Sequence, residues 1–171
     1  MIDSGTVRAV GGGEKTNQNP TDRGKPEIKH HVLADANGIP LNAILTGESR
    51  HAVPQLLPLI HSAPSVCDKA GYPKKHPRSI NADRDLWLRT PSPRTAAPWG
   101  SSPNLAERNT PHGSGLGVYR WAVERTISWL HQFRRLRVRF ERRKEIHKAL
   151  MALAESLICF RGLRQAFRKG L

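Results

Sequence analysis

Residues 117–130, GVYRWAVERTISWL, can bury one side and only one side. At about 100° per residue, Val118, Tyr119, Ala122, Val123, Trp129, Leu130 and, just beyond, Phe133 collect in an arc of roughly 140°, so the stretch predicts an amphipathic helix that must lie on a second layer. Glu124 is the one acid of this stretch and falls opposite the apolar arc, with Arg120 one turn before it, Ser128 one turn after, and His131 and Arg135 further along. By periodicity alone, Arg120 and Glu124 read as a solvated i,i+4 ion pair worth only a few tenths of a kcal/mol.

After Phe133 the period changes. Leu136, Val138 and Phe140 alternate with Arg135, Arg137, Arg139 and Glu141, which reads as an extended arm between helices. Residues 119–148 hold ten Lys and Arg against three Glu, the densest basic tract of the chain. A charge run is usually a solvated face, but arginines beside a carboxylate site are suited to gripping phosphates bidentately. The closing helix carries Ile146, Ala149, Leu150, Leu153, Leu157 and Phe160 on one side, a stripe expected in the core.

The whole chain repeats this bias: 28 Lys and Arg against 14 Asp and Glu give a formal charge of +14 and a pI near 10.9. Such a surface attracts polyanions, nucleic acid first among them, although a ribosomal-type or decayed basic protein has the same composition. A chain of 171 residues builds one ordinary core. Cys67 and Cys159 form neither a CxxC nor a cysteine–histidine ligand set, which argues against a zinc site or disulfide scaffold and suits a reducing cytoplasm. The most apolar run, residues 149–160, is interrupted by Glu155 and is too short to span a bilayer, so the expectation is a soluble protein without a membrane partner.

Along the rest of the chain the local signals are uneven. Gly11, Gly12 and Gly13 precede Glu14, Lys15 and Thr16, but a phosphate loop needs glycine directly before its lysine, so a flexible loop is expected. Residues 31–34 and 39–45 flank Asp35-Ala36-Asn37-Gly38 and predict a β-hairpin. His30, His31, His51 and His61 lack an acid at a ligand spacing such as HExxH and read as solvated or hydrogen-bonded. Residues 53–60 predict a short helix interrupted by Pro54 and Pro58; Ile80, Asn81 and Ala82 predict a strand end that delivers Asp83 to a sheet edge. Ser114 is placed to cap the glutamate helix. Residues 85–103, with prolines at 91, 93, 98 and 103, have neither helical nor strand period.

The run YRWAVERTISWLHQFRRLRVRFERRKEIHKALMALAESLICF, with IDSGTVRAVGGGEKTNQNPTDRGKPEIKHHVLADANGIPLNAILTGESRH near the start and INADR in the middle, resembles the C-terminal part of the catalytic domain of DDE-type bacterial insertion-sequence transposases, in the IS-four/IS-five group. The resemblance covers most of the chain apart from roughly residues 85–103. It implies an α/β fold of RNase-H-like type, a mixed sheet flanked by helices, in which two aspartates and one glutamate hold divalent metal ions at the DNA backbone. The matching positions are Asp3, Asp83 and Glu124, which would be the catalytic residues and metal ligands of a two-metal site for Mg²⁺ or Mn²⁺. Arg120 matches the family's Arg-x-x-x-Glu signature as a phosphate contact, while Arg134, Arg135, Arg137, Arg139, Arg142 and Arg143 would bind DNA. Two positions depart from the pattern: Gly117 stands where a tyrosine is expected, and His131 stands where a basic residue is expected seven after the glutamate.

The implied function is DNA transposition by metal-dependent strand cleavage and strand transfer. Its partners would be double-stranded DNA of the element ends and target, a homo-oligomer assembled on that DNA, and an upstream-frame protein or fused N-terminal segment. Only Met1 and Ile2 precede Asp3, where a strand commonly has about 5 or 6 residues, so residues 1–171 read as a single catalytic domain incomplete at its N-terminus. Residues 115–168 would be its helical part, and residues 85–103 a disordered or frameshifted segment that leaves this copy inactive. The alternative is a non-catalytic basic DNA-binding remnant.

Overall fold

The two-residue period of the first strand sets up the two layers of the molecule. In the computed structural model, which describes residues 1–19, 22–47, 53–67, 71–74, 77, 79–82, 102–105 and 117–169, the elements follow in the order β1 (Ile2–Ala9), β2 (Asn17–Gln18), β3 (Pro26–Ala34), β4 (Pro40–Gly47), α1 (Val53–His61), β5 (Val66–Cys67), β6 (Pro73–Lys74), β7 (Ser79–Ala82), β8 (Ser102–Leu105), α2 (Gly117–Gln132), α3 (Arg134–Arg137), β9 (Val138–Arg139) and α4 (Lys144–Lys169). β4 pairs antiparallel with β3, and β3 antiparallel with β1. On its other edge β1 takes β7 in parallel, with Ile2 opposite Ala82, and β8 continues in parallel beyond β7. The short strands β2 and β9 extend this mixed sheet along β3 and β1. An α/β architecture with a mixed sheet is therefore what the chain adopts.

Asp3, Gly5, Val7 and Ala9 share one face of β1 by the two-residue period of a strand. Asp3 is opposite Val32 of β3, and Val32 is opposite Ala43 of β4. This face receives α2, α3 and α4 through a core of Val32, Ala34, Ala43, Val123, Leu130, Leu136, Met151, Ala154 and Ile158. The opposite face presents Ile2, Leu33 and Ile80, which α1 covers with Leu56, Leu59 and Ile60. Each such side chain removed from water contributes on the order of 1.5–3 kcal/mol.

The hairpin forms as the Asn-Gly signal predicts. Asp35 Oδ1 accepts from the amides of Asn37 and Ile39, both at 2.8 Å, and Gly38 adopts φ +77°, where a β-carbon would lie 2.8 Å from the Ala122 carbonyl oxygen. The short helix after it is α1, with Pro58 inside it.

Four expectations are corrected. β1 has eight residues and continues past Asp3, paired with β3 from Ile2 to Arg8, so its support lies downstream of the aspartate. The glycine loop is clamped rather than free: Glu14 N–H donates to the Arg142 carbonyl at 2.9 Å, and a β-carbon on Gly11 would lie 2.6 Å from the Phe140 carbonyl oxygen, so backbone meets backbone there. The arm is extended only at β9, where Val138 pairs with Arg8 and Arg139 with Ala9; residues 134–137 close a helical turn instead, with Leu136 and Arg137 amides bonded to the Phe133 carbonyl. In α4 the buried stripe is His147, Met151, Ala154 and Ile158, whereas Ile146, Leu153, Leu157 and Phe160 of the expected stripe are exposed. Close approach to the hairpin marks the buried side: a β-carbon on Gly162, one turn after Ile158, would lie 2.7 Å from Ile39 Cδ1.

Of the segment 85–103, Ser102 and Pro103 belong to β8, opposite Ser79 and Ile80. The rest of it, like Ser114 and His51, lies outside the described residues.

Candidate functional site

α2 runs along β1 in the same direction. At its middle Thr126 Oγ1 donates to the Gly38 carbonyl at 2.6 Å and Arg125 donates to the Asn37 carbonyl, which ties the helix to the hairpin tip; Ala34, at the root of that hairpin, is bonded to Met1. Further on, a β-carbon on Gly5 would sit 3.1 Å from Ile127 Cγ2 and 3.6 Å from His131 Cε1. Arg120, Glu124, Ile127 and His131 fall within about 60° of one another on the helix, so Glu124 belongs to the flank that abuts β1, one turn nearer to Asp3. The Glu124 side chain is exposed, as an acid opposite the apolar arc should be. Asp3 lies on the same sheet face as Gly5, and Ala82, the last residue of β7, pairs with Ile2 beside it.

Glu124 Oε1 accepts from Arg120 Nε at 2.8 Å, with the two side chains 56% and 49% exposed. The i,i+4 pair expected from spacing is thus present on the exposed side of α2. Asp3 Oδ1 accepts the Ser4 amide at 2.7 Å. Asp83 lies outside the described residues. Among the described residues no group of three His, Cys, Asp or Glu is placed to hold a metal ion.

One turn beyond Glu124 the surface opens into a depression of about 460 Å³ lined by Ser128, His131, Gln132, Arg134 and Arg137. Burial lowers the His131 pKa from its ordinary value, so the imidazole is neutral at pH 7 and adds no cation. The cations of this hollow are Arg134 and Arg137, both exposed on the single helical turn of α3. Arg135 is turned to Glu141 at 2.7 Å, and Arg142 and Arg143 are exposed just before α4.

Arg139 does not join them. Pairing with Ala9 puts its side chain inside, fully buried, where Nε donates to the Glu141 carbonyl at 2.7 Å, Nη1 to the Glu14 carbonyl at 2.7 Å and Nη2 to the Arg142 carbonyl at 3.0 Å. It is a strut between the glycine loop and the arm, and DNA has no access to it.

Two further arrangements escaped sequence reading. Arg125 lies between Trp121 and Trp129, its guanidinium carbon 4.3 and 4.7 Å from the two ring centroids, so the i−4 and i+4 aromatics hold the arginine that grips the hairpin. Beneath the arm, His30 Nε2 meets His147 Nε2 at 3.0 Å and His147 Nδ1 meets Glu141 Oε2 at 3.3 Å. Burial pushes the Glu141 carboxyl up, but its backbone hydrogen bond, His147 and Arg135 outweigh that and hold it below the ordinary value. An ionised Glu141 can only accept, so His147 donates from Nδ1 and accepts from His30 at Nε2. Spacing could not have found this chain, since its members are 117 residues apart. His31, also buried, bonds Thr46 Oγ1 at 2.8 Å; both early histidines are hydrogen-bonded, as expected.

The family model of the transposase DDE domain matches residues 103–159, which span Glu124, the arm and most of α4. A protein described as a putative transposase for insertion sequence element IS402, from Burkholderia cepacia, is 52% identical over 155 residues, which cover 91% of this chain and 73% of that protein. No solved structure matches the chain.

Proposed function

The chain belongs to the DDE-type insertion-sequence transposases, and from this we propose that it is a catalytic domain that cuts and joins DNA, with Asp3, Asp83 and Glu124 as its acidic residues. What supports the reading is the position of Asp3 near the start of β1, of Ala82, the residue before Asp83, opposite Ile2 at the end of β7, and of Glu124 on α2, the helix whose Ile127 and His131 approach Gly5 of β1. Acids delivered from separate elements to one sheet edge are how α/β folds build sites. The mixed sheet with helices on both faces supports the RNase-H-like form of such a fold.

Three carboxylates without thiolate or imidazole suit a hard divalent cation such as Mg²⁺ or Mn²⁺, which when bound would stabilise negative charge on the phosphodiester. The chain's own residues do the positioning. Arg120 fixes the Glu124 carboxylate in place. Arg134 and Arg137 grip backbone phosphates across the hollow next to it, and the Ser128 hydroxyl and Gln132 amide donate to phosphate oxygens there. These arginines take over what a basic residue at His131 would do. The partner is double-stranded DNA, of the element ends and of the target, and no described helix is long and apolar enough to cross a membrane.

Nicking of DNA that carries the element ends, in the presence of Mg²⁺, tests this reading. Glu124→Gln should abolish cleavage while leaving salt-sensitive binding nearly intact, because it removes one charge away from the arm. Cleavage that survives in the variant removes Glu124 from the site.

A further inference from the structure

The chain of buried groups beneath the arm stops just short of the hollow. His30 Nδ1 and His131 Nε2 are both buried and, among the described residues, have no partner. Their rings stand 6.2 Å apart, centroid to centroid, at 62°. His30 gives its one N–H, on Nε2, to His147, so its Nδ1 is a bare acceptor. A water about 2.8 Å from each nitrogen, in line with each ring, spans that separation with an angle of about 100° at its oxygen, close to what a water's hydrogen bonds prefer. Gly5, opposite His30 in the sheet, puts no side chain beside this spot; a β-carbon there would lie 3.8 Å from His131 Nε2.

We propose that His131 takes up a proton when a backbone phosphate enters the hollow, and that a bridging water, His30, His147 and Glu141 hold the resulting imidazolium. This rests on the reading that the hollow binds DNA. In the free chain burial keeps His131 neutral, and Arg134 and Arg137 of the same hollow disfavour a third cation. A phosphate reverses that balance, since an opposite charge within about 4–6 Å raises the pKa of a cation by about 1–3 units. The proton comes from solvent and stays on His131, because His30 is held to about 3. Its Nε2–H donates to the water, the water to His30 Nδ1, His30 Nε2 to His147 and His147 Nδ1 to the Glu141 carboxylate. Nδ1 of His131 is then the donor to phosphate. The other groups near His131 are uncharged Ser128 and Gln132, Asp3 on the face of β1 that holds Gly5, Glu124 two turns back, and Arg139, which acts on His30. Arg134 and Arg137 thus supply a standing charge, and His131 a conditional one.

Binding of a labelled duplex in EDTA, at one salt concentration, tests this apart from cleavage. Between about pH 6 and about pH 8 the wild-type affinity should fall about 10-fold. His131→Gln should lose most of that fall by binding weakly throughout, and His131→Lys should lose it by binding tightly throughout. The His131 ring, followed by NMR, should titrate about one pH unit or more higher with DNA than without. A His131→Gln chain that keeps the wild-type fall, or a ring whose titration DNA leaves unmoved, overturns the inference. Glu141→Gln keeps an acceptor but removes the charge, and should lower the DNA-bound titration by about half a unit; an unmoved value overturns the part given to the buried chain. Arg134→Gln with Arg137→Gln separates this from the reading it rests on. Lost affinity in that pair beside an unmoved pH slope in His131→Gln sinks the inference alone, whereas unaltered affinity in the pair sinks both.

Discussion

Arg139 and Arg142 are three residues apart in the same basic run, yet one is fully buried and the other exposed. Arg139 spends three guanidinium nitrogens on three backbone carbonyls, one of which, that of Arg142, also accepts the Glu14 amide, and its removal would leave the space of a fully buried side chain among them. Arg139→Ala is therefore expected to lower the unfolding free energy by about 3–5 kcal/mol, against less than about 0.5 kcal/mol for Arg142→Ala, as measured by urea denaturation. The buried histidines make a second prediction at this scale. Burial, with neighbouring charges, lowers His30 to about 3, and burial with Lys29 lowers His31 to about 4, against an ordinary value of 6.5. The unfolded chain binds protons below pH 6.5 that the folded chain refuses, so this stability is complete above pH 6.5 and is lost as pH falls towards 3. The loss approaches about 1.4 kcal/mol per pH unit for each histidine. Unfolding midpoints at pH 7.5, 6 and 5 measure it, and a flat profile would show that the histidines are not held neutral.

At the scale of elements, the arm is a helical turn followed by a short strand, and only the turn presents cations to the hollow beside Glu124. Replacing Arg134 and Arg137 by Gln should flatten the slope of log affinity against log salt by about 2, since each phosphate neutralised in duplex DNA contributes roughly 0.9. An unchanged slope would make these arginines a solvated face. The elements also show what sequence could convey. The hairpin was legible because Asn37-Gly38 and Asp35 carry their own turn chemistry. The arm was not, because alternation of apolar and basic residues gives two faces without saying which meets the core; β9 pairing with β1 decides that, from across 130 residues of chain. The stripe on α4 misled for a related reason: a helix with two apolar faces satisfies the rule for a core stripe on either side, and Gly162 and Ala154 mark the side that approaches closely.

For the molecule as a whole, the α/β class followed from the resemblance, and the mixed sheet agrees with it. The candidate site was legible as three acids because family likeness assigns them, whereas their supports were not: the expectation that Asp3 stands on a curtailed strand fails, as β1 gains its length downstream and pairs on both edges. That removes one of the two reasons for expecting this copy to be inactive, and the other falls on residues 85–101, outside those described.

β1 is made early and completed late. Its partners are β3, then β7, and finally β9, whose pairing of Arg8 with Val138 joins residues 130 apart. A ribosome working at about 5–20 residues per second separates the two halves of that contact by roughly 7–26 s. Throughout that interval the strand that bears Asp3 has an edge open to any other extended segment, and neither the glycine loop nor Arg139 can lock. Synthesis of this chain is thus a race between its own C-terminal arm and the edges of neighbouring nascent chains, and its yield in a cell should depend on chaperones that shield strands more than on the stability of the finished fold.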